Sequence, residues 1–234
     1  LGRHVGRGLS RDSQSRAIAT LEHAVELDPG FAPAWAALAH AQQVIADLEV
    51  LPVRQVIGQR IADVQVPLVG VAVQAPAYIE AVLMTRAHVD GRDATDRILG
   101  MIRSSRYREG LRMLFLNGVA VGGFNVIDLD EIHNELKVPV VTVTRRAPDL
   151  DAIRDALRRR FDDWEARWNL VRGHEIEEIT THHAPLHVSF VGASRTEVIE
   201  AIALCTVRGA LPEPLRVAHL IAAAAVKGES HGRA

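Results

Sequence analysis

The chain has 234 residues, 48% of them hydrophobic, which is enough for one sizeable domain with an appendage. A formal net charge of −2 argues against a non-specific nucleic-acid binder, which usually carries a basic surplus. The single cysteine, Cys205, excludes an internal disulfide framework and indicates a reducing compartment. No apolar run is long enough to span a membrane and no signal peptide is visible, so we expect a cytoplasmic protein without membrane contact.

The first fifty residues predict an α-helical hairpin. Ser15 to Glu26 and Phe31 to Leu48 read as two Ala-rich amphipathic helices joined by a Pro-Gly turn. Their small and apolar residues resemble the second half of one tetratricopeptide repeat and the start of the next. Because about three such repeats are usually needed to bury a core, the segment either docks on the rest of the chain or is poorly anchored. It is also a candidate arm for a protein partner.

From Val64 onward, strand and helix patterns alternate. A β-branched apolar run predicts a buried strand at Val66–Val73, with Tyr78–Val89 as its hairpin partner. Further strands are predicted at Leu111–Leu116, Val138–Thr144 and Leu186–Val191. Helices are predicted at Ala94–Ser104, Leu129–Leu136, Asp149–Trp168 (one helix or two), Arg195–Cys205 after an N-cap at Ser194, and Glu213–Val226. This alternation is typical of an α/β fold in which helices cover a mixed sheet.

A glycine-rich loop, Asn117 to Asp128, follows the strand at Leu111–Leu116. Glycines at the end of a strand let the backbone approach a ligand or another strand closely. In open α/β sheets, ligands bind at this edge. Gly122, Gly123 and Asn125 are therefore candidate ligand contacts.

Carboxylates occupy two loops that follow strands. Asp90 and Asp93 lie between a strand and a helix, and Asp128 ends the glycine-rich loop. We expect both loops to follow strands of one sheet, so that Asn125 or Asp128 can face the same cleft as Asp90. Carboxylates that converge in this way favour Mg²⁺ or Mn²⁺ over Zn²⁺. The alternative is that these carboxylates have only structural roles in their own loops. Asp93 and Asp128 each precede a helix that they can cap, and Asp90 can form the turn.

Basic residues follow the strand at Val138–Thr144 and open the last helix. Arg145 and Arg146 suit a phosphate, and the alternative is that they pair with Asp149, Asp151 or Asp155. Arg216 and His219 share one helix face, and His219 is a candidate general base, a phosphate contact or a structural histidine. The arginines of the preceding helix are interpreted as a solvated face: Arg154, Arg158, Arg159 and Arg160.

Taken in chain order, these blocks resemble the endonuclease dU family, from about Val53 to the C-terminus. The matching blocks are Val69–Val71, Val89–Thr95, Gly123–Asp128, Pro139–Val143, Arg145–Asp149 and Pro212–Ala222. The resemblance therefore divides the chain into a helical segment, 1–50, and a family domain, 51–234.

The family is similar to endonuclease V, so the resemblance implies a ribonuclease H-like fold and a metal-dependent endonuclease of DNA repair. It implies DNA more than RNA as the substrate, with deaminated bases as the candidate target. The implied ligands of Mg²⁺ or Mn²⁺ are Asp90, Asn117 and Asp128, and the implied catalytic residues are Asp90, Asp128 and His219. The implied nucleic-acid contacts are Arg145, Arg146, Arg216, Gly122, Gly123 and Asn125.

The chain departs from the family at two expected acidic positions. Gln59 follows Val56-Ile57-Gly58 where the family's first strand normally has aspartate, and Asn117 stands where endonuclease V has aspartate. Fewer anionic ligands lower the affinity of a site for Mg²⁺. A second hypothesis is therefore a nucleic-acid- or protein-binding module that keeps the fold but does not cleave.

Overall fold

The computed structural model of the protein describes residues 64–230, and these form an α/β domain. The strands are β1 (Gln65–Gln74), β2 (Tyr78–His88), β3 (Leu114–Leu116), β4 (Ala120–Val121), β5 (Asn125–Val126), β6 (Val140–Thr144), β7 (Glu177–Ile179) and β8 (Leu186–Val191). The helices are α1 (Ala94–Arg103), α2 (Leu129–Leu136), α3 (Leu150–Arg160), α4 (Trp164–Val171), α5 (Arg195–Cys205) and α6 (Glu213–Lys227). The predicted N-terminal helical hairpin and the Val56-to-Gln59 segment lie outside the described residues.

The main sheet has the order β3-β6-β8-β7 and is mixed. β3 runs parallel to β6, whereas β6, β8 and β7 are antiparallel neighbours. β1 and β2 form the predicted antiparallel hairpin, with a register shift between Ala72 and Val73. The short strands β4 and β5 form a third, two-stranded sheet within the described part of the chain. The predicted mixed sheet flanked by helices is therefore confirmed.

Strand β6 is buried because both of its faces pack against apolar residues. Val141 and Val143 lie in one core with side chains of β7, β8, α5 and α6. Val140 lies in a second core with side chains of α1 and α2. Between them, the hydroxyls of Thr142 and Ser189 are 2.7 Å apart and satisfy each other inside the sheet. Burial on both faces explains the continuous β-branched run in the sequence.

The helix predictions hold, with local differences at their ends. The segment predicted as one helix or two is two, because the backbone of Phe161, after α3, is extended, with φ −132° and ψ 133°. Ser194 caps α5 as predicted, and Glu197 completes a capping box with it. The sequence did not predict β4, β5 or β7, which have only two or three residues each. None of the helices in the described range is long and apolar enough to cross a bilayer.

Candidate functional site

The turn after β2 and the glycine-rich loop are joined through Asp90. The backbone of Asp90 is left-handed, with φ 55°. Its N–H donates to the carbonyl of Gly122 at 2.7 Å, and the N–H of Phe124 donates to its Oδ1 at 2.8 Å. These two bonds place the strand-to-helix turn and the glycine-rich loop against each other. The expectation that both loops follow strands of one sheet was wrong, because β2 belongs to the β1–β2 hairpin and not to the sheet that contains β3.

The glycines of the loop make this approach possible. Gly122 and Gly123 have φ values of 53° and 85°, which side chains disfavour. A Cβ on Gly123 would clash with Oδ1 of Asp90, and a Cβ on Gly122 would lie 2.9 Å from Val66. In this structure, the close approach that the glycines permit is therefore to the β1–β2 hairpin and its following turn.

Arg160, the last residue of α3, reaches the same turn. Its Nη2 is 3.1 Å from Oδ2 of Asp90, and the two side chains are only 10% and 16% exposed. The guanidinium lies 5.4 Å from the ring centroid of Phe124 and 5.7 Å from that of Phe161. This arginine was predicted to lie on a solvated helix face, and that interpretation was wrong because the phenylalanines and the carboxylate come from distant parts of the chain.

Arg167 of α4 binds both the Asp90 turn and the glycine-rich loop. Its Nη1 donates to the carbonyls of Gly91 and Phe124 at 2.8 and 2.5 Å, and its Nε donates to Asp163 at 2.9 Å. Its guanidinium also lies 4.3 Å from the centroid of the Phe161 ring. Two arginines from adjacent helices therefore hold the Asp90 turn and the glycine-rich loop together.

Asp93 is the acceptor at the centre of a second network. Its Oδ2 is 2.7 Å from Nδ1 of His88 and 3.0 Å from Nε of Arg97, and its Oδ1 accepts from Nδ2 of Asn125 at 2.8 Å. Burial alone would raise the pKa of Asp93, but the hydrogen bonds from His88, Arg97 and Asn125 hold it well below its usual range. Asp93 makes no capping bond to α1.

Asn125 supplies that cap and is fully buried. Its Oδ1 accepts from the N–H of Ala94 at 3.0 Å, and its Nδ2 also donates to the carbonyl of His88 at 2.9 Å. Its side chain has 0% exposure, so it tightens the joint between β5 and α1 rather than facing a cleft.

Asp128 caps α2, which is one of the two roles that the sequence left open for it, the other being a metal ligand. Its Oδ1 accepts from the N–H of Glu131 at 2.9 Å, and its own N–H donates to the hydroxyl of Thr95 at 2.9 Å. Asp128 also lines an open cleft of about 300 Å³, together with Gly91, Arg92, Thr95, Asp96, Val126, Glu131, Asp163, Ala166, Arg167 and Leu170. This cleft adjoins the two loops.

Both acidic and basic side chains line the cleft. Burial and then the charges of Asp128 and Asp96 raise the pKa of Glu131. Burial would also raise the pKa of Asp163, but hydrogen bonds from Arg167 and Arg92 lower it. Among residues 64–230, no three Asp, Glu, His or Cys side chains are grouped so that they could hold a metal ion.

The remaining predicted site residues do not line this cleft. Asn117, Arg145, Arg146 and His219 are exposed. Arg216 makes a two-point ion pair with Glu213, with bonds of 2.7 and 2.5 Å. Asp149, a predicted partner of the two exposed arginines, accepts from the N–H of Ala152 and caps α3. Sequence reasoning missed the roles of His88, Arg160 and Arg167, for which spacing along the chain gave no signal.

Comparison with known proteins agrees with this arrangement of blocks. A family model described as Endonuclease dU matches residues 56–226. The chain is 38% identical over 174 residues to a UPF0215 protein of Methanothermobacter thermautotrophicus, a match that covers 74% of this chain and 85% of that protein. It is 41% identical over 164 residues to a UPF0215 protein of Thermococcus kodakarensis, with coverage of 70% and 83%.

A solved structure supports the same relationship. The crystal structure of a protein of unknown function from Archaeoglobus fulgidus is similar with a TM-score of 0.61 and 30% sequence identity, and the match covers 69% of this chain and 97% of that one. The family model spans well over half of the sequence, from the segment before β1 to the end of α6. This chain therefore belongs to the endonuclease dU family.

Proposed function

We propose that this protein acts on nucleic acid as an endonuclease, with a ribonuclease H-like, endonuclease V-like domain in residues 51–234. The observation that supports this proposal is the family match over residues 56–226. The bonded contact between the Asp90 turn and the glycine-rich loop is consistent with it, because both segments follow strands and adjoin one open cleft. The proposed substrate is DNA with deaminated bases.

The proposed contacts to the substrate are the exposed basic groups. Arg145 and Arg146 follow β6 at the protein surface, where guanidinium groups can make bidentate bonds to an arriving phosphate. His219 is exposed on α6, where it is the proposed general base. Arg216 is a further proposed phosphate contact, and its guanidinium is paired with Glu213 in this structure.

Mg²⁺ or Mn²⁺ is the cofactor that family membership suggests, but the described residues do not fit such an ion. Both oxygens of Asp90 are engaged, by Phe124 and Arg160, and Asp128 accepts a helix-capping bond. Asn117 offers only a neutral oxygen. Within residues 64–230 the anionic ligand set that a hard cation requires is therefore incomplete, and we assign no chemical step to a metal.

Cleavage can be tested with the full chain on duplexes that differ only in one base. We expect products from uracil- or hypoxanthine-containing DNA and none from the matched normal duplex, in assays with Mg²⁺, with Mn²⁺ and with chelator. The Arg145→Ala/Arg146→Ala variant should weaken substrate binding. Arg108→Ala/Arg112→Ala is the matched control, because it also removes two exposed arginines. Both precede β3, whose start lies at the opposite end of the parallel β3–β6 pair from Arg145. Absence of products under every metal condition would contradict the endonuclease proposal.

A second candidate function is binding without cleavage. It is favoured by one observation, the ion pair that engages the Asp90 carboxylate with Arg160. A binding module predicts affinity for DNA that falls steeply with salt concentration, because phosphate contacts release counterions, and no cleavage products. Binding measured by fluorescence anisotropy between about 50 and 200 mM salt, the range over which such contacts typically lose affinity, separates the two functions when it is combined with the cleavage assay.

A further inference from the structure

Both oxygens of the Asp90 carboxylate accept a hydrogen bond from the protein. Oδ1 accepts from the N–H of Phe124 at 2.8 Å, and Oδ2 accepts from Nη2 of Arg160 at 3.1 Å. The carboxylate is fixed in position by the left-handed backbone of Asp90 and by Gly123, which leaves room for Oδ1 because it has no Cβ. The positive charge that pairs with this carboxylate is therefore that of a protein side chain, Arg160.

Arg160 is largely buried and lies close to two aromatic rings as well as to Asp90. Its side chain is 10% exposed, and its guanidinium lies near the rings of Phe124 and Phe161, whose centroids are 5.8 Å apart in an edge-to-face arrangement. As the last residue of α3, it also lies at the helix end that favours positive charge. A guanidinium is less strongly hydrated than an ammonium group, which suits it to a place beside aromatic rings.

We infer that the Arg160 guanidinium takes the place of a divalent cation at Asp90 and excludes Mg²⁺ and Mn²⁺ from that carboxylate. A metal ion at Asp90 would have to break the ion pair and leave Arg160 buried without its partner, which is unfavourable. Asp90 is therefore a positioning residue for Arg160 and the glycine-rich loop. The inference concerns metal binding by the free protein, so it stands or falls separately from the proposed cleavage of DNA.

Titration of the full chain with Mn²⁺ alone, followed by the electron paramagnetic resonance signal of the free ion, tests this inference. Wild type and Asp90→Asn should bind Mn²⁺ equally, because the carboxylate is not a ligand in wild type. Arg160→Gln should bind Mn²⁺ roughly tenfold more tightly or better, because a freed carboxylate adds an anionic ligand. Arg160→Gln combined with Asp90→Asn should lose that gain.

Arg159→Gln is the matched control, since it removes the same charge from the neighbouring, exposed position of α3. It should leave Mn²⁺ affinity at the wild-type value, and a gain equal to that of Arg160→Gln would show a general charge effect and overturn the inference. Loss of wild-type Mn²⁺ binding in Asp90→Asn would overturn it as well. So would a folded Arg160→Gln variant without any gain.

If Arg160→Gln does not fold, wild type alone still decides the question. The amide resonances of Asp90 and Phe124 should keep their intensity when Mn²⁺ is added to isotope-labelled protein, apart from the uniform loss that all exposed amides share. Selective broadening of these two amides at low Mn²⁺ concentration would place the ion at the carboxylate and contradict the inference.

Discussion

At the scale of single residues, the glycine-rich loop depends on Gly123, whose missing side chain leaves room for the Asp90 carboxylate. Gly123 has φ 85°, and its Cα faces the Asp90 carboxylate so closely that no side chain fits. A glycine in such a position is required by packing within the protein, whether or not a ligand also binds nearby. Substitution by alanine distinguishes Gly123 from a glycine with open space beside it, such as Gly100.

Gly123→Ala should lower the free energy of unfolding by about 2–4 kcal/mol, since it adds backbone strain and a clash with Asp90. Gly100→Ala is the control: Gly100 lies in α1, and its new methyl group would meet nothing within 4 Å apart from its chain neighbours and the backbone of its own helix. That variant should gain about 0.5–1 kcal/mol from better helix propensity. Urea denaturation measures both. Equal effects would mean that the contact between Gly123 and Asp90 is not a constraint.

At the scale of elements, α2 begins after a residue for which the sequence left two roles open. Asp128 was a candidate metal ligand and a candidate cap, and the structure gives it the capping bond to Glu131. Capping and ligation respond differently to substitution, because asparagine caps a helix about as well as aspartate whereas it lacks the negative charge that a cation needs.

Asp128→Asn should therefore change stability by only a few tenths of a kcal/mol, whereas Asp128→Ala should cost about 1 kcal/mol. Thermal and urea unfolding of the two variants check this. If the cap is the whole role of Asp128, the cleavage activity of Asp128→Asn should equal that of wild type. Normal stability with lost cleavage would instead support the metal-ligand role.

At the scale of the whole molecule, the Asp93 network links elements from three parts of the fold. It joins the end of β2 through His88, helix α1 through Arg97 and strand β5 through Asn125. Because the folded state holds the pKa of Asp93 below its usual range, protonation of this group favours the unfolded chain. The stability of the described domain should depend on pH for this reason.

The contribution of Asp93 should be complete above pH ~5, since an unfolded aspartate titrates near ~3.9, and it should be lost as pH falls toward the lower folded pKa. Asp93→Asn should cost roughly 1–3 kcal/mol at neutral pH and flatten this part of the pH profile. Urea denaturation at several pH values measures both effects. Asp162→Asn, at an exposed position after α3, is the control and should leave the profile steep.

The sequence by itself determined the order of the larger strands and helices, the hairpin of β1 and β2, the cap at Ser194 and the family. These follow from local periodicity, capping chemistry and the order of short blocks, all of which are contained in neighbouring residues. For the candidate site, the sequence singled out the Asp90 turn and the glycine-rich loop, which are bonded to each other in the fold. The metal, the base and the phosphate contacts stay predictions.

Only the tertiary structure decided what the charged residues of these loops contact. Phe124 reaches Asp90 across 34 positions and Arg160 reaches it across 70, distances along the chain that no periodic pattern encodes. The sequence predicted that Arg160 is solvated because its neighbours are charged, whereas the fold surrounds it with two phenylalanines and a carboxylate. Which residue pairs with a charged side chain depends on the tertiary structure. For Asp90 that residue is Arg160, and we infer that this pairing keeps a metal ion from the carboxylate.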